Sequence, residues 1–321
     1  MRLAIVGATG EVGRMMLKKL EEEGLALAMI DLFASRRSAG KNLDFAGARL
    51  EVKELREDSF DKGYDYALFS AGASVSKSFA PIASRKGTVV IDNSSAFRAN
   101  QEIPLVVPEI NGHLIEGYRG IIANPNCSTI QMVISLSGVY KNYGIRTIVV
   151  STYQAVSGAG NKGIAELEDQ ERGDVTPSVF VRQIHRNVVP VIGDLLDSRF
   201  SSEEMKMVNE TRKIFGDDSI SVWPTTVRVP VIHGHSESVF CETVRSFSLS
   251  ELRETIECSD HVVYSEEHIT PLEIAGSDLV HVSRLRSFDS NRFLLWNVAD
   301  NIRVGAATNA VRILKTHIGG A

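Results

Sequence analysis

A glycine-rich turn directly after the first apolar run is the feature that most constrains the fold of this chain. Residues 3–6 have strand character, Gly7-Ala-Thr-Gly10-Glu-Val-Gly13 follows, and residues 12–23 repeat apolar side chains at helical spacing. Glycines at such a turn let a strand pass tightly into a helix and let a phosphate approach the helix N-terminus. The spacing is GxxGxxG and not the usual GxGxxG, so the prediction depends on the strand–turn–helix context. This context predicts a dinucleotide-binding α/β domain.

Short apolar runs alternate with helical patterns through the first third of the chain, as in parallel βαβ units. The predicted strands there are residues 3–6, 26–33, 66–70, 88–91 and 120–123. Later runs are longer and separated by hairpin-sized turns, which is typical of a mixed or antiparallel sheet. They are residues 145–156, 223–232, 237–247, 279–285 and 293–298, with helices at 161–172, 249–257 and 301–317. The predicted fold class is a doubly wound parallel sheet plus an α+β domain with a mixed sheet.

Composition excludes several classes of protein. The net charge is −5 without a long basic run, so nucleic acid is not expected as the main partner. No run of eighteen apolar residues is present, and the chain opens on a strand and not on a leader, so neither a membrane span nor a secretory signal is predicted. Three cysteines suit free thiols in a reducing cytoplasm better than a disulfide framework, and no metal site is predicted.

Cys127 is the strongest candidate nucleophile. It follows Asn124-Pro-Asn126 at the point where an apolar run ends and a helical segment begins. Unpaired backbone N–H groups and the helix dipole at such a position favour a thiolate. A cysteine is more often a small buried hydrophobe, but the flanking residues and the strand-to-helix position favour catalysis here.

Two segments compete for the choice of dinucleotide. Asp31 lies at about the distance at which an acidic residue holds the ribose hydroxyls of NAD. The strand is expected to end nearer Ala34, however, and Ser35-Arg-Arg-Ser38 follows it with cations and hydroxyls that suit a ribose 2′-phosphate. A solvated basic loop is the alternative interpretation of this segment. We favour NADP, with Ser35, Arg36 and Ser38 as its ligands.

Small residues follow two further strands. Ser70 and Gly72 come after the third predicted strand, where an open α/β sheet receives its ligand. Ser157 and Gly158 lie in a second glycine turn, after Gln154, whose amide is suited to orienting a substrate carbonyl. A plain strand–helix turn explains the second motif equally well when it is taken alone.

Several charged residues and one histidine are candidates for substrate binding and proton transfer. Arg98 and Arg228 offer forked donors for phosphate or carboxylate. Glu203 and Lys206 are three residues apart on one helix face, a spacing that by itself favours an ordinary solvated pair. His235 is the predicted acid/base toward Cys127, with His233 as the competing candidate.

Together these residues predict a thiol-dependent oxidoreductase that uses a nicotinamide cofactor on an anionic substrate. A thiolate attacks an aldehyde, the adduct loses hydride to the cofactor, and the thioester is then cleaved by water or phosphate. Two cationic clamps without an obvious base to activate water make phosphate the better acceptor.

The motifs resemble the aspartate-β-semialdehyde dehydrogenase family over nearly the whole chain. The resemblance is carried by Asn-Pro-Asn-Cys and Gln-Ala-Val-Ser-Gly-Ala-Gly in this order, and by further matching segments: 7–13, 94–98, 124–129, 151–160, 203–213 and 228–237. It implies a Rossmann-like NADP-binding domain at 1–126 plus 301–321, and a catalytic and dimerisation domain at 127–300. It also implies NADPH-dependent reduction of β-aspartyl phosphate to aspartate β-semialdehyde with release of phosphate, toward lysine, threonine and methionine.

The resemblance also implies roles for single residues. Cys127 would be the nucleophile, His235 the acid/base and Gln154 the support of the acyl-thioester. The predicted substrate-binding residues are Arg98, Asn126, Glu203, Lys206 and Arg228. The predicted cofactor-binding residues are Gly7, Thr9, Gly10, Glu11, Val12, Gly13, Ser35, Arg36, Ser38, Ser70, Gly72, Ser157, Gly158 and Asn301. A homodimer is expected, with a tetramer as the alternative.

Three other functions are alternatives that fit parts of the sequence. The related N-acetyl-γ-glutamyl-phosphate reductase shares the thiol and the cofactor but needs no site for a free α-amino group. A non-catalytic NADP-binding paralogue would not need to keep Cys127, His235, Arg98 and Arg228 together. A cysteine hydrolase is the weakest alternative, because it leaves the glycine turn without a role.

Overall fold

The computed structural model describes residues 1–174 and 176–320, which divide into two compact units. The first unit contains Met1–Pro125 together with the chain from Ala306 onward, and the second contains Asn126–Gly305.

The strands and helices of the described residues are numbered along the chain. The strands are β1 Arg2–Val6, β2 Met29–Ala34, β3 Asn42–Phe45, β4 Ala48–Glu54, β5 Tyr66–Phe69, β6 Val89–Asp92, β7 Ile121–Ala123, β8 Ile145–Gln154, β9 Ser221–Arg228, β10 His235–Thr243, β11 Val262–Ser265, β12 Val280–Ser287 and β13 Arg292–Ala299. The helices are α1 Glu11–Glu22, α2 Ala73–Arg85, α3 Pro108–Asn111, α4 Cys127–Tyr143, α5 Asn161–Glu171, α6 Ser202–Phe215, α7 Leu249–Glu257, α8 Pro271–Ile274 and α9 Asn309–Gly319.

The first unit is a doubly wound α/β sheet, as the sequence predicts. Its described strands form one seven-stranded sheet in the order β3-β4-β2-β1-β5-β6-β7, parallel except for the β3–β4 pair. One face packs against α1 and α9 through residues such as Met16 and Leu314, and the other packs against α2 through Ala80 and Ala83. The strand order reverses between β1 and β5, and ligands of such sheets bind outside the strand ends at that point.

The glycine turn sits at this reversal. Gly7 has a φ of +87°, and a Cβ there would lie 2.8 Å from the Ala71 nitrogen after β5. A Cβ on Gly13 would lie 2.2 Å from the Gly7 carbonyl oxygen, which is backbone and cannot turn aside. Glycine is therefore required at both positions for β1, α1 and β5 to pack this closely.

The β3–β4 hairpin was not predicted from the sequence. Its strands alternate polar and apolar residues weakly, and its turn is Ala46-Gly47, with φ values of +49° and +76°. An alanine in the left-handed region is uncommon, so the turn lacks the usual Asn-Gly or Asp-Gly signal.

The second unit is built on a mixed sheet, which confirms the predicted fold class. Its described strands form a six-stranded sheet in the order β11-β12-β13-β10-β8-β9, with antiparallel pairs at the centre and parallel pairs at both edges. Helix α4 packs on the central strands, α6 on β9 and α7 on β11 and β12. The segment after α5 is held by a small apolar cluster of Val156, Leu167, Ile184 and Val189.

Three predicted boundaries in the later part of the chain were wrong, by two to eight residues. Strand β9 ends at Arg228 and not at residue 232, because Pro230 has no N–H to continue the ladder. Strand β10 begins at His235, so this histidine is the first strand residue and not part of the turn. The last helix was predicted from residue 301, but Arg303–Thr308 is π-helical and α9 begins at Asn309.

Along the described parts of the chain, none of the helices combines the length and apolar character that crossing a bilayer requires.

Candidate active site

Cys127 is the first residue of α4, where the backbone is already arranged for an anion. Asn126 is the N-cap, and its side-chain oxygen accepts hydrogen bonds from the backbone N–H groups of Ser128 at 3.0 Å and Thr129 at 3.3 Å. The helix continues for 17 residues, so its dipole places partial positive charge at the Cys127 end. The thiol is partly exposed, and no disulfide engages it. This position favours a thiolate nucleophile.

Two carboxylates of α6 hold the residue before the thiol. Glu210 accepts a hydrogen bond from the Asn126 backbone N–H at 2.6 Å, and Glu203 accepts one from its side-chain amide at 2.8 Å. Glu203 and Glu210 are seven residues apart, so they lie on one face of the helix, two turns apart. Asn126, predicted as a substrate ligand, therefore has an observed structural function as the anchored N-cap of α4.

Gly305 lies directly against the nucleophile. A Cβ on residue 305 would lie 2.5 Å from the Cys127 Cβ and 2.9 Å from its Cα. Real Cβ atoms do not approach this closely, so the sequence has glycine here and the chain can pass beside the thiol. The π-helical turn from Arg303 is the local form of the chain at this contact.

Gln154, Arg228 and His235 lie close together at one end of the six-stranded sheet. Strands β8 and β9 end there, and strand β10 begins there. Gln154 is the last residue of β8 and pairs with Arg228, the last residue of the parallel strand β9. His235 is the first residue of β10, which runs antiparallel to β8. Gln131, one turn after Cys127 on α4, donates to the His235 carbonyl at 3.2 Å, so the start of α4 lies over this edge.

The side chains of Arg228 and His235 both pack beside the turn after β8, where Gly158 has no side chain. A Cβ on residue 158 would lie 2.8 Å from Arg228 Nη1 and 3.3 Å from His235 Cε1. Arg228 is almost fully buried and donates from Nη1 to the Ala155 carbonyl at 2.5 Å. A glycine at 158 therefore leaves room for the guanidinium and the imidazole to pack against the same backbone.

The His235 ring is held in one tautomer. The backbone N–H of Ala155 donates to Nδ1 at 3.0 Å, so a neutral imidazole carries its proton on Nε2. Burial, and then the nearby Arg228 cation, lower the pKa of His235 well below its ordinary value. The ring is therefore neutral at neutral pH, and Nε2–H is the group that it can offer to a substrate oxygen.

Glu203 stays ionised although it is buried. Burial alone would raise its pKa, but Lys206, Asn126 and Arg228 together reverse that effect and hold the pKa of Glu203 below its usual value. Lys206 Nζ lies 2.9 Å from Glu203 Oε2, and the lysine side chain is partly exposed. The predicted pair is thus not an ordinary solvated one, because its carboxylate is almost enclosed.

The positive charge of Arg228 lies close to the negative charges of Cys127 and Glu203. Burial lowers its pKa, while the negative charges of Cys127 and Glu203 oppose that shift. The second unit thus brings a thiol, a carboxylate and a guanidinium into one electrostatic cluster. A buried, fixed guanidinium is suited to binding a carboxylate through two parallel hydrogen bonds.

Asn301 supports the turn before His235. Its side-chain oxygen accepts from the Gly234 backbone N–H at 2.8 Å, and its amide donates to Ser157 Oγ at 3.0 Å. Ser157 and Asn301 were predicted as cofactor ligands, and the described contacts give both an additional structural function. They join the turns that carry Gly158 and His235.

The predicted nucleotide turn belongs to the first unit. Gly10 is the N-cap of α1 and provides no side-chain cap, so the first N–H groups of the helix are not capped by a side chain. Ser70, after β5, donates to the carbonyl oxygens of Val6 and Gly7 at 3.3 Å, and Gly72 is the N-cap of α2 with a φ of +87°. Thr9, Glu11 and Val12 lie in the same turn and helix start.

Asp31, the alternative ribose ligand, is engaged elsewhere. It lies inside β2, and its carboxylate accepts hydrogen bonds from Lys53 and from the Tyr64 hydroxyl, both at 2.5 Å. Burial opposes ionisation, but these two donors hold the pKa of Asp31 below its usual value. The strand ends at Ala34, and Ser35, Arg36 and Ser38 form the exposed or partly exposed turn after it.

Arg98, also in the first unit, is partly buried and donates to the Asn93 carbonyl at 2.8 Å. Asn93 follows β6 and also contacts the amide of Asn124 after β7. For metal ions, no group of three or more suitable side chains occurs in residues 1–174 and 176–320.

Glu210 and Gly305 were not predicted as parts of the site. Glu210 could have been predicted from its spacing, because it lies seven residues after Glu203 and therefore on the same face of the helix. For Gly305 no local signal exists, because its requirement arises from a contact with Cys127 far away in the sequence.

Two family models match the chain in consecutive regions. The model described as the NAD binding domain of semialdehyde dehydrogenase matches residues 2–118, and the one described as its dimerisation domain matches residues 136–304. Together they cover most of the chain.

Curated relatives match over nearly the full length. Aspartate-semialdehyde dehydrogenase of Aquifex aeolicus is 48% identical over 328 residues, covering 97% of this chain and 96% of that protein. The Bacillus subtilis enzyme of the same name is 41% identical, covering 98% and 97%. The crystal structure of aspartate semialdehyde dehydrogenase II from Vibrio cholerae complexed with ASA superposes with a TM-score of 0.95 at 43% identity, covering 99% and 98%. The family predicted from the motifs is confirmed, and the chain belongs to the aspartate-semialdehyde dehydrogenase family.

Proposed function

We propose that this chain catalyses the NADPH-dependent reduction of β-aspartyl phosphate to aspartate β-semialdehyde with release of phosphate, and the reverse phosphorylating oxidation. The observation that carries the proposal is the cluster of Cys127, Glu203 and Arg228. It combines a thiol at a helix N-terminus with a carboxylate and a guanidinium, which are complementary to the amino and carboxylate groups of an amino acid. Such an enzyme serves the formation of lysine, threonine and methionine.

In this proposal the Cys127 thiolate attacks the acyl carbon of the substrate. The Sγ–C bond forms, the C–O bond to phosphate breaks, and phosphate leaves with its electron pair to give a thioester. NADPH, when held by the glycine turn at Gly7–Gly13, would supply the hydride that reduces this thioester. His235 offers its Nε2 proton to the carbonyl oxygen, on which negative charge develops, and Gln154 supports the acyl group. When the reduced adduct collapses, the Sγ–C bond breaks, the proton on the oxygen returns to His235 Nε2, the thiolate is regenerated and the aldehyde leaves.

The remaining side chains bind the substrate. Arg228 takes the α-carboxylate, and Glu203 takes the α-amino group, because its carboxylate is ionised and enclosed. Lys206 and Arg98 bind phosphate. Asn126 holds the thiol in position, because it caps the helix that begins at Cys127. For Arg98 the proposal rests on the resemblance of the segment 94–98 to the family.

The first unit fits a dinucleotide. A side chain at Gly7 or Gly13 would collide with backbone, whereas Gly10 leaves the helix start open to a pyrophosphate. We assign Gly7, Thr9, Gly10, Glu11, Val12 and Gly13 to its phosphates, and Ser70, Gly72, Ser157, Gly158 and Asn301 to its remaining parts. A chain that depends on a free thiolate also suits the reducing cytoplasm.

The test compares two acyl phosphates in the same assay of NADPH oxidation. We expect turnover of β-aspartyl phosphate and little turnover of N-acetyl-γ-glutamyl phosphate, whose acetylated nitrogen cannot pair with Glu203. Activity on the acetylated compound alone would assign the reductase instead. No turnover of either compound by a folded, NADP-binding protein would favour the non-catalytic paralogue.

We propose NADP and not NAD as the dinucleotide, and Arg36 tests this choice. Replacing Arg36 by alanine should raise KM for NADPH about tenfold or more and leave KM for NADH nearly unchanged, because only NADPH carries the 2′-phosphate. Initial rates with each cofactor measure the effect. The neighbouring Arg37→Ala variant is the matched control, and equal changes for both cofactors in Arg36→Ala would contradict the assignment.

We propose that two copies of the chain associate through the outer face of the six-stranded sheet. Trp223, Val149, Phe240 and Leu294 are consecutive partners across β9, β8, β10 and β13, so they form an apolar row. Trp223 is 56% exposed and Val149 43% exposed. The family's dimerisation model covers these strands, and an exposed row of this kind is typical of an association surface.

Replacing Trp223 by glutamate should shift the protein from dimer to monomer, because a charge would be buried without a partner. Sedimentation velocity at several concentrations measures the change. Phe288→Glu is the matched control, since Phe288 is 82% exposed in the turn between β12 and β13, away from this row. A Trp223→Glu protein that remains fully dimeric would contradict the proposed surface.

A further inference from the structure

A buried polar network lies beneath the start of α4. Its centre is Glu237 on β10, which is 0% exposed and has Thr152 on β8 and Asn297 on β13 as its register partners. The Asn297 amide donates to Glu237 Oε2 at 3.0 Å and to Ser135 Oγ on α4 at 3.2 Å. A fully buried carboxyl group is unusual when, as here among the described residues, neither an arginine nor a lysine compensates its charge.

Gln131 connects this network to both proposed catalytic residues. Its amide donates to Asn297 Oδ1 at 2.7 Å and to the backbone carbonyl of His235 at 3.2 Å. It lies one helical turn after Cys127, and Glu237 lies two residues after His235 on the same face of β10. The network therefore joins the turn that carries the thiol to the strand end that carries the imidazole.

If the Glu237 carboxylate is ionised, the network contains more hydrogen-bond acceptors than donors. Both amide hydrogens of Asn297 and both of Gln131 are used in the four bonds above. Within the described residues, Glu237 Oε1 and Gln131 Oε1 are then buried acceptors without a hydrogen-bond partner. Two such acceptors are costly, and one proton on Glu237 Oε1 supplies the missing donor.

The electrostatic surroundings agree with a protonated group. Burial raises the pKa of Glu237 to about 8, although the nearby amide groups of Asn297 and Gln131 act in the opposite direction. Thr152, Asn297, Gln131 and Ser135 face it from β8, β13 and α4, and all are uncharged. The titratable side chains on its own strand face are His235 and Cys241: burial lowers the pKa of the former and raises that of the latter, so both are neutral.

We propose that Glu237 is a positioning residue that works as a neutral carboxylic acid. Its proton completes the network that fixes the Cys127 turn of α4 against the His235 end of β10, and its ionisation loosens that arrangement. The inference rests on the proposed function for the identity of the two reacting residues, but the network itself does not depend on the substrate.

The kinetic test uses Glu237→Gln, which has nearly the shape of the protonated acid and cannot ionise. In the wild type, kcat/KM should fall above about pH 8, approaching tenfold per pH unit. Glu237→Gln should keep wild-type activity at pH 7 within about fivefold and lose this alkaline fall. Glu242→Gln, on the same strand but outside the network, is the matched control and should keep the wild-type profile. A wild-type alkaline fall in Glu237→Gln would overturn the proposal.

Two further measurements need neither substrate nor turnover. The infrared spectrum of the wild type at pH 7 should contain a protonated-carboxyl band that disappears above about pH 8 and is absent from Glu237→Gln. The rate of Cys127 alkylation by iodoacetamide, measured in a Cys258→Ser background, should change near the same pH in the wild type and not in Glu237→Gln. If the band is absent at pH 7, or if the alkylation profiles coincide, the proposal is wrong. If both signals appear in a protein that does not turn over aspartyl phosphate, the proposed function fails and the positioning role stands.

Discussion

Replacing Cys127 by serine should lower kcat by about 10⁴-fold or more in both directions of the reaction. The serine hydroxyl fits the space beside Gly305 and keeps the start of α4. Its pKa is too high, however, for a helix dipole worth about 1 kcal/mol to make it an alkoxide at neutral pH. The loss should appear in kcat, because the missing group forms a bond only during the reaction. NADPH oxidation with aspartyl phosphate and NADPH formation with the aldehyde and phosphate measure it.

Affinity for NADP should be unchanged in Cys127→Ser, since Cys127 is not among the residues assigned to the dinucleotide and the nucleotide turn belongs to the other compact unit. Calorimetric titration of the variant with NADP tests this point and also shows that the protein is folded. Cys258→Ser is the matched control, because Cys258 is exposed and outside the cluster. Turnover by Cys127→Ser within a hundredfold of the wild type would exclude the thioester mechanism.

Most of the fold could be predicted from the sequence because it depends on local signals. The turn at Gly7–Gly13 marks a strand–helix junction by composition alone, and the alternation of apolar runs distinguishes a parallel from a mixed sheet. The prediction failed where a long-range contact decides the local conformation. The chain near Gly305 reads as a continuous helix up to residue 317, but contact with Cys127 accompanies a π-helical turn there.

The candidate site was predictable in its residue types and not in its connections. Cys127, Arg228 and His235 stand out by their motifs, and their proposed roles remain predictions. The sequence does not show that Glu203 is enclosed, that Ala155 fixes the His235 tautomer, or that Gly158 makes room for Arg228. These facts depend on which strand ends lie side by side, and strand order is not a local property of the chain.

The same reason explains why Glu237 was overlooked. In the sequence it reads as a polar residue in an alternating strand, where a glutamate is usually on the solvent side. In the structure it lies on the buried face of β10, which it shares with His235, Val239 and Cys241. The predicted strand began at residue 237, two residues too late, so it did not include His235. The sequence therefore did not show that His235 and Glu237 lie on the same face of one strand.

Replacing Arg228 by lysine should lower kcat/KM by about 10²- to 10³-fold, mainly through KM, for the aldehyde and the acyl phosphate alike. Arg228 already donates from Nη1 to the Ala155 carbonyl and still has donors for a carboxylate. A single ammonium cannot keep that bond and also bind the α-carboxylate through two parallel hydrogen bonds. Loss of such a buried charged contact costs about 2–5 kcal/mol. Steady-state kinetics in both directions measure the change.

Arg98→Lys separates the two proposed clamps, because it should impair mainly the reactions that involve phosphate. Identical effects of Arg98→Lys and Arg228→Lys on all substrates would contradict the division of roles.

Arg228→Gln separates the geometry of the Arg228 side chain from its charge. Arg228 is one of the causes that hold down the pKa of His235, so that pKa should rise when the cation is removed and stay low when lysine replaces it. The acid side of the pH profile should therefore move to higher pH in Arg228→Gln and not in Arg228→Lys. This difference is expected only if the guanidinium acts electrostatically on the imidazole as well as binding the substrate.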